Sequence, residues 1–154
     1  MKQDRFLIAI LAAVGILIIV ALGLFFTRQG SREYGADDTP EGVVRNYVIA
    51  ITNEDFERAY SYLQDSPEKP AFSEFRQPFL VTRLDTCNVS TRMTDTKIAS
   101  DEAIVKLILT RGGTQPFQGS WSEPGSAILV LQNGNWKLTE MPYPYWGWDW
   151  YQEP

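Results

Sequence analysis

The sequence predicts an α+β domain, about three helices followed by an antiparallel sheet of four or more strands, behind one N-terminal transmembrane helix. Three observations carry this reading. Residues 6–26 form an unbroken apolar run, apolar side chains then recur with helical spacing from residue 39, and after residue 80 the spacing shortens to two. The part beyond the apolar run, about 115 residues, is long enough to bury a core of its own.

The apolar run reads FLIAILAAVGILIIVALGLFF, twenty-one residues without a charge. As a helix it measures ~31 Å, close to the thickness of the hydrocarbon core of a bilayer. A cleaved signal peptide would carry a shorter apolar stretch and a small-residue cleavage site. This run instead leaves through Leu24, Phe25, Phe26 and Thr27, so residues 1–27 are expected to be an uncleaved signal-anchor. Lys2 and Arg5 precede it, Arg28 and Arg32 follow it, and the charge bias across it is slight. The short N-terminal side and the acidic domain favour a plasma-membrane protein with a cytoplasmic N-terminus and an extracytoplasmic C-terminal domain.

Residues 28–38 read as a polar, glycine-containing linker. Thr39 then suits a helix N-cap and Pro40 the first helical position. Val44, Tyr47, Val48 and Ile51 make one apolar stripe, which predicts a helix over 40–52. Thr52 and Asp55 have capping-box-like spacing and restart a helix over 54–64, with Phe56, Ala59, Tyr60 and Leu63 on one face. A third helix is expected from a Ser66 cap and Pro67, carrying Phe72 and Phe75 and ending at Pro78.

Cys87, Val89, Thr91 and Met93 alternate with polar residues and open the strand region. TDTKIASDE (94–102) is expected to turn. AIVKLIL (103–109), SAILVLQ (126–132) and NWKLTEM (135–141) are β-rich runs, and the last two are joined by Asn133-Gly134. Both residues of that pair tolerate positive φ, a strong hairpin signal.

TPEGVVRNYVIAITNEDFERAYSYL resembles the opening helix pair of the nuclear-transport-factor-two-like (NTF2-like) superfamily. A T-P-E cap leads an apolar helix, and Asn53, Asp55, Phe56, Ala59 and Tyr60 form the restart. The late Trp136-Lys137-Leu138 strand fits as well, so the resemblance covers residues 39–141. It implies a curved antiparallel sheet wrapped around the helices as a cone with a cavity. Membrane-anchored bacterial members are common in the superfamily.

Charge and composition narrow the functional classes. The net charge of −5 divides into +2 over residues 1–33 and −7 over 34–154, with no basic cluster, which argues against nucleic acid. The chain has no histidine and a single cysteine, Cys87, so no cofactor or metal is expected and the commonest general base is missing. Cys87 reads as a small buried apolar residue. Enzymes of the ketosteroid-isomerase-like type place acid/base groups inside the cone. Here Asp85, Tyr47 and Tyr60 are the only candidates, each with a plainer structural account, so a non-enzymatic protein is expected and no catalytic residue is assigned.

What stands out is residues 142–154, PYPYWGWDWYQEP, where six of the ten residues from Pro142 to Tyr151 are Tyr or Trp. The candidate site residues are Tyr143, Tyr145, Trp146, Trp148, Trp150 and Tyr151. Three roles compete: the segment caps the sheet or plugs the cone, it binds a partner, or its rings sit at the membrane interface. Alternation at Trp146, Trp148 and Trp150 predicts an extended segment with all three rings on one side. The expected function is a membrane-anchored accessory or assembly subunit with integral membrane protein partners. The alternative is a module that binds a small apolar molecule or lipid in the cone cavity.

Overall fold

A computed structural model describes residues 2–28, 33–81, 84, 86, 88–112 and 119–151. Cys87 and Asp85 lie outside these. The chain divides into two compact units, Met1–Glu33 and Tyr34–Pro154.

The first unit is helix α1 (Lys2–Arg28), which takes in the whole apolar run. Its side chains are described at Ile8 and at residues 10–23. Among the described residues no helix is long and apolar enough to cross a membrane.

The second unit opens with a segment that the sequence assigns to the linker. Asn46, fully buried on the next helix, pairs with the backbone of Gly35 in both directions. It accepts from Gly35 N at 2.9 Å and donates to Gly35 O at 2.8 Å. The Tyr34 hydroxyl donates to Asp55 at 2.8 Å, and the Arg58 guanidinium lies 3.6 Å from the centre of the Tyr34 ring. Residues 34 and 35 are therefore fixed to the domain.

Helix α2 (Pro40–Thr52) forms as its sequence predicts. Thr39 caps it, its hydroxyl accepting from Gly42 N at 3.1 Å, and Glu41 complements the positive end of the helix dipole. Gly42 is needed because a Cβ there would run into the Ala36 carbonyl oxygen. Val44, Tyr47, Val48 and Ile51 are buried, and so are Val43, Ile49 and Ala50, so α2 is enclosed on most sides. The restart uses Asp55 alone. Its carboxylate accepts from Arg58 N and caps α3 (Phe56–Ser61), while the Thr52 hydroxyl turns back to the Val48 carbonyl.

The third predicted helix starts later than its sequence signals suggest. Ser66 and Pro67 lie in a bend and turn, and α4 runs Phe72–Leu80. Glu74 supplies the cap, its carboxylate accepting from Ala71 N at 3.1 Å. Pro78 does not end α4 but lies within it, two residues before its end.

Four strands, β1 (Val89–Ala99), β2 (Glu102–Arg111), β3 (Trp121–Gln132) and β4 (Asn135–Glu140), form one antiparallel sheet in chain order. Residues 94–99 prove to be strand. Only Ser100 and Asp101 turn, with Ser100 at φ 56°. The polar residues that suggested a turn sit on an exposed strand end, after a bulge between Met93 and Asp95. The Asn133-Gly134 hairpin forms as predicted, with φ of 53° and 79°. Ala103, Val105, Leu107 and Leu109 of β2, Ala127 and Leu129 of β3, and Leu138 of β4 are buried in one core with α2. The free edge of β4 is covered by the exit of α3: Leu138 N donates to Tyr62 O and Gln64 N to Leu138 O.

Candidate functional site

The aromatic C-terminal segment is built onto the domain from β4 outward. Met141 is buried directly after the strand, and Pro142 crosses β3 at Gly125. A Cβ on Gly125 would stand 2.9 Å from both Pro142 Cβ and Leu109 Cδ1, so glycine there lets the chain cross closely.

Tyr145 then enters between α2 and β1. Its side chain is 1% exposed, its carbonyl accepts from the Tyr47 hydroxyl at 2.7 Å, and its own hydroxyl accepts from Thr91 at 3.1 Å. Complete burial pushes the Tyr47 phenol well above its ordinary pKa, so it stays a neutral donor. Trp150 packs on α4, with its ring centre 4.9 Å from Phe75 and 6.1 Å from Phe79. Trp146 meets Trp150 edge-on at 5.0 Å and stacks on Tyr151 at 5.8 Å. The Tyr151 hydroxyl donates to Gln64 O at 2.5 Å. A Cβ on Gly147 would come within 2.5 Å of Trp150 Nε1, so glycine is required for that ring to fold back.

The expectation of an extended segment with its three tryptophans on one side is not met. Residues 143–151 wind through consecutive turns, with Tyr145 N donating to Pro142 O and Trp150 N to Gly147 O. Trp146 and Trp150 face inward while Trp148 is 83% exposed. Pro142, Pro144 and Gly147 break the β period, and a period-two pattern has no meaning in turns. Tyr143 is also exposed, and Arg111 holds it: the guanidinium lies 4.9 Å from the ring centre, and Nη2 donates to the Tyr143 carbonyl at 3.3 Å. Arg111 Nε in turn pairs with Glu123 at 3.0 Å.

These turns enclose a groove of about 720 Å³. Five rings of the segment line it, Tyr143, Trp146, Trp148, Trp150 and Tyr151, together with Met141, Leu84 and Pro78. Glu140 and Asp149 are its charged residues among those described, and none of the described lining residues is basic. Sequence reasoning found the rings but neither the two carboxylates nor the α4 wall, because residues so far apart in the chain leave no local signal of meeting. Tyr47 and Tyr60, considered as acid/base groups, both donate to backbone carbonyls, Tyr60 to Pro70 O at 2.8 Å. Among the described residues no cluster of His, Cys, Asp and Glu could hold a metal ion.

No protein-family model matches this sequence, and neither does any curated protein. Solved structures do match. A variant of Rd1NTF2 with five substitutions is similar over 69% of this chain and 96% of its own, at 13% identity and a TM-score of 0.50. A SEC-C motif containing protein from Rhodopseudomonas palustris matches over 70% and 80%, at 18% identity and 0.49. An NTF-2 like protein of unknown function from Shewanella oneidensis covers 63% and 88%, at 8% identity and 0.46. The Rd1NTF2 variant, at 13% identity and a TM-score of 0.50, speaks for the fold alone, which is NTF2-like.

Proposed function

We propose that this protein is a membrane-tethered binding module that docks on a partner protein through the groove around Trp148, as an accessory or assembly subunit of a membrane complex. The observation that carries the reading is the division of labour within the aromatic segment. Tyr145, Trp146 and Trp150 are spent on the domain itself, and Tyr145 occupies the space between α2 and the sheet. That filled interior disfavours the rival reading of a small apolar ligand held inside the fold. Trp148 is 83% exposed at the groove, and tryptophans are among the side chains that dominate protein interfaces.

The tether rests on α1. Ile16, Leu17, Ile18 and Ile19 are consecutive, point around the whole helix and are all exposed. A helix that is apolar all round needs an apolar environment. The twenty-one uncharged residues of the full run match a bilayer, with the N-terminus on the cytoplasmic side and the domain outside.

The test is a photo-crosslinking amino acid at position 148 of the full-length protein in its native membranes, with the same probe at Ile98 as the control. Ile98 is exposed on β1, away from the groove. A discrete crosslink to an integral membrane protein from position 148 and not from 98 is expected. Equal labelling from both positions, or none from either, would defeat the docking reading.

A further inference from the structure

We infer that Asn133 is a site of self-modification. At the tip of the last hairpin its side-chain amide is lost to a cyclic imide with Gly134, and reopening of the ring leaves aspartate or isoaspartate. The bonds that tie Gln132 to Asp65 hold the rate down. The inference stands apart from the docking reading.

The chemistry needs only neighbouring residues and water. The backbone nitrogen of Gly134 loses its proton and its bond to Asn133 Cγ forms. The Cγ–Nδ2 bond breaks, and Nδ2 leaves with a proton as ammonia. Water then adds to one of the two imide carbonyls. Addition at Cγ releases aspartate in an ordinary backbone, and addition at the main-chain carbon leaves the backbone running through Cγ as isoaspartate. A side chain on the following residue crowds the attack. Gly134 has none, and no atom lies within 4 Å of the place a Cβ would take. Both residues are exposed. Asn46, Asn53, Asn88 and Asn135 are followed instead by Tyr47, Glu54, Val89 and Trp136.

The folded hairpin resists this reaction. Ring closure needs the Gly134 nitrogen and the Asn133 Cβ on the same side of the Cα–C bond. With φ of 53° and 79° the pair forms the mirror-image turn of a two-residue hairpin, which puts that nitrogen on the far side from Cβ. The turn must therefore open first. Asn135 Nδ2 donates to the Asn133 carbonyl at 3.3 Å, and Gln132 pairs with Asn135 at the end of the ladder. The Gln132 side chain also clasps the backbone of Asp65. It accepts from Asp65 N at 3.0 Å and donates to Asp65 O at 2.8 Å. Gln132 is thus a positioning residue that keeps the tip closed. Isoaspartate adds a carbon to the main chain of a loop whose length sets the register, so the pairing of Gln132 with Asn135 is lost. Gln64, beside Asp65, accepts from the Tyr151 hydroxyl, so the loosened tip borders a residue that holds the aromatic segment.

The experiment incubates the full chain in mild detergent at neutral and mildly alkaline pH and follows each asparagine by peptide mapping, with aspartate and isoaspartate separated by chromatography before mass spectrometry. Asn133 should convert to both products, faster at the higher pH, while Asn135 and Asn53 stay intact over the same period. Gln132→Ala removes two hydrogen bonds from the closed hairpin, so the open fraction, and with it the rate at Asn133, should rise about ten-fold. Asn46→Ala loosens the domain elsewhere and should leave that rate unchanged. In concentrated urea, where the turn is already open, the parent and Gln132→Ala should convert equally fast. Conversion at Asn133 no faster than at Asn135, or aspartate without isoaspartate, overturns the imide. An unchanged rate in Gln132→Ala, an equal acceleration by Asn46→Ala, or a difference that persists in urea overturns the role of the clasp.

Discussion

The three tryptophans of the C-terminal segment should separate sharply on replacement by alanine. Trp150 is 6% exposed and touches Phe75, Phe79 and Trp146 with ring centres 4.9–6.1 Å away. A ring of this size buries about 150–250 Å², which at about 25 cal/mol per Å² corresponds to about 4–6 kcal/mol. That is an upper bound, because the unfolded chain already buries part of the ring. Large-to-small core replacements of this kind cost about 3–5 kcal/mol, in agreement. For a unit of this size each kcal/mol moves the melting temperature by about 3–5 °C, so Trp150→Ala should lower it by on the order of 10–20 °C. Trp146→Ala should follow it, since Trp146 is 9% exposed and stacks on Tyr151. Trp148→Ala should stay within about 0.5 kcal/mol of the parent, the range of surface substitutions. The assay is thermal unfolding of the full chain in mild detergent, followed by circular dichroism. A Trp148→Ala variant as unstable as Trp150→Ala, or a Trp150→Ala variant melting with the parent, would refute the division between packed and exposed rings.

Three further outcomes are expected. Gly147→Ala should cost about 1–3 kcal/mol by displacing the Trp150 ring, and in a Trp150→Ala background the same change should cost almost nothing, a non-additivity that a double-mutant melt reads directly. Asn46→Ala removes both bonds to the Gly35 backbone, so it should cost about 1–3 kcal/mol and speed limited proteolysis around residues 34–38. The buried Tyr47 phenol has a pKa raised above its unfolded value near 10, so its contribution is complete below pH 10 and is lost as pH rises beyond it. Stability should therefore fall above pH 10 by up to about 1.4 kcal/mol per pH unit for this group, and Tyr47→Phe should flatten that slope in a melting series from pH 9 to 11.5.

The helices and hairpins that the sequence made legible are those set by neighbours in the chain. Thr39-Pro40 fixes the start of α2, the stripe at Val44, Tyr47, Val48 and Ile51 fixes its buried face, and Asn133-Gly134 fixes the last hairpin. Prediction failed where tertiary contact outweighed local preference. Ser66-Pro67 has the chemistry of a helix start, yet α4 waits for Phe72, whose ring meets Tyr60 at 5.4 Å. TDTKIA has turn composition, yet six ladder partners from Met93 to Ala99 hold it as strand against β2. The aromatic segment was recognisable as important from composition alone. Which of its rings turn inward depends on Gly147, Gly125 and the Tyr47 hydroxyl, and the last two lie far away in sequence.

Both ends of the compact unit are held by two adjacent residues of α2. Asn46 binds the backbone of Gly35 where the chain enters, and Tyr47 binds the carbonyl of Tyr145 where the chain leaves the sheet. Adjacent helix positions point about 100° apart, so one turn of a buried helix serves both sides without either bond competing with the other. Both side chains are fully buried; the Tyr47 bond is buried with them, while the Asn46 bonds reach out to a partly exposed Gly35. Trp148 sits three residues beyond Tyr145 and inherits its position from that anchor. Under the proposed function, loss of the Tyr47 hydroxyl removes one of the anchors of this segment, so it should loosen the docking surface without touching any residue that lines it.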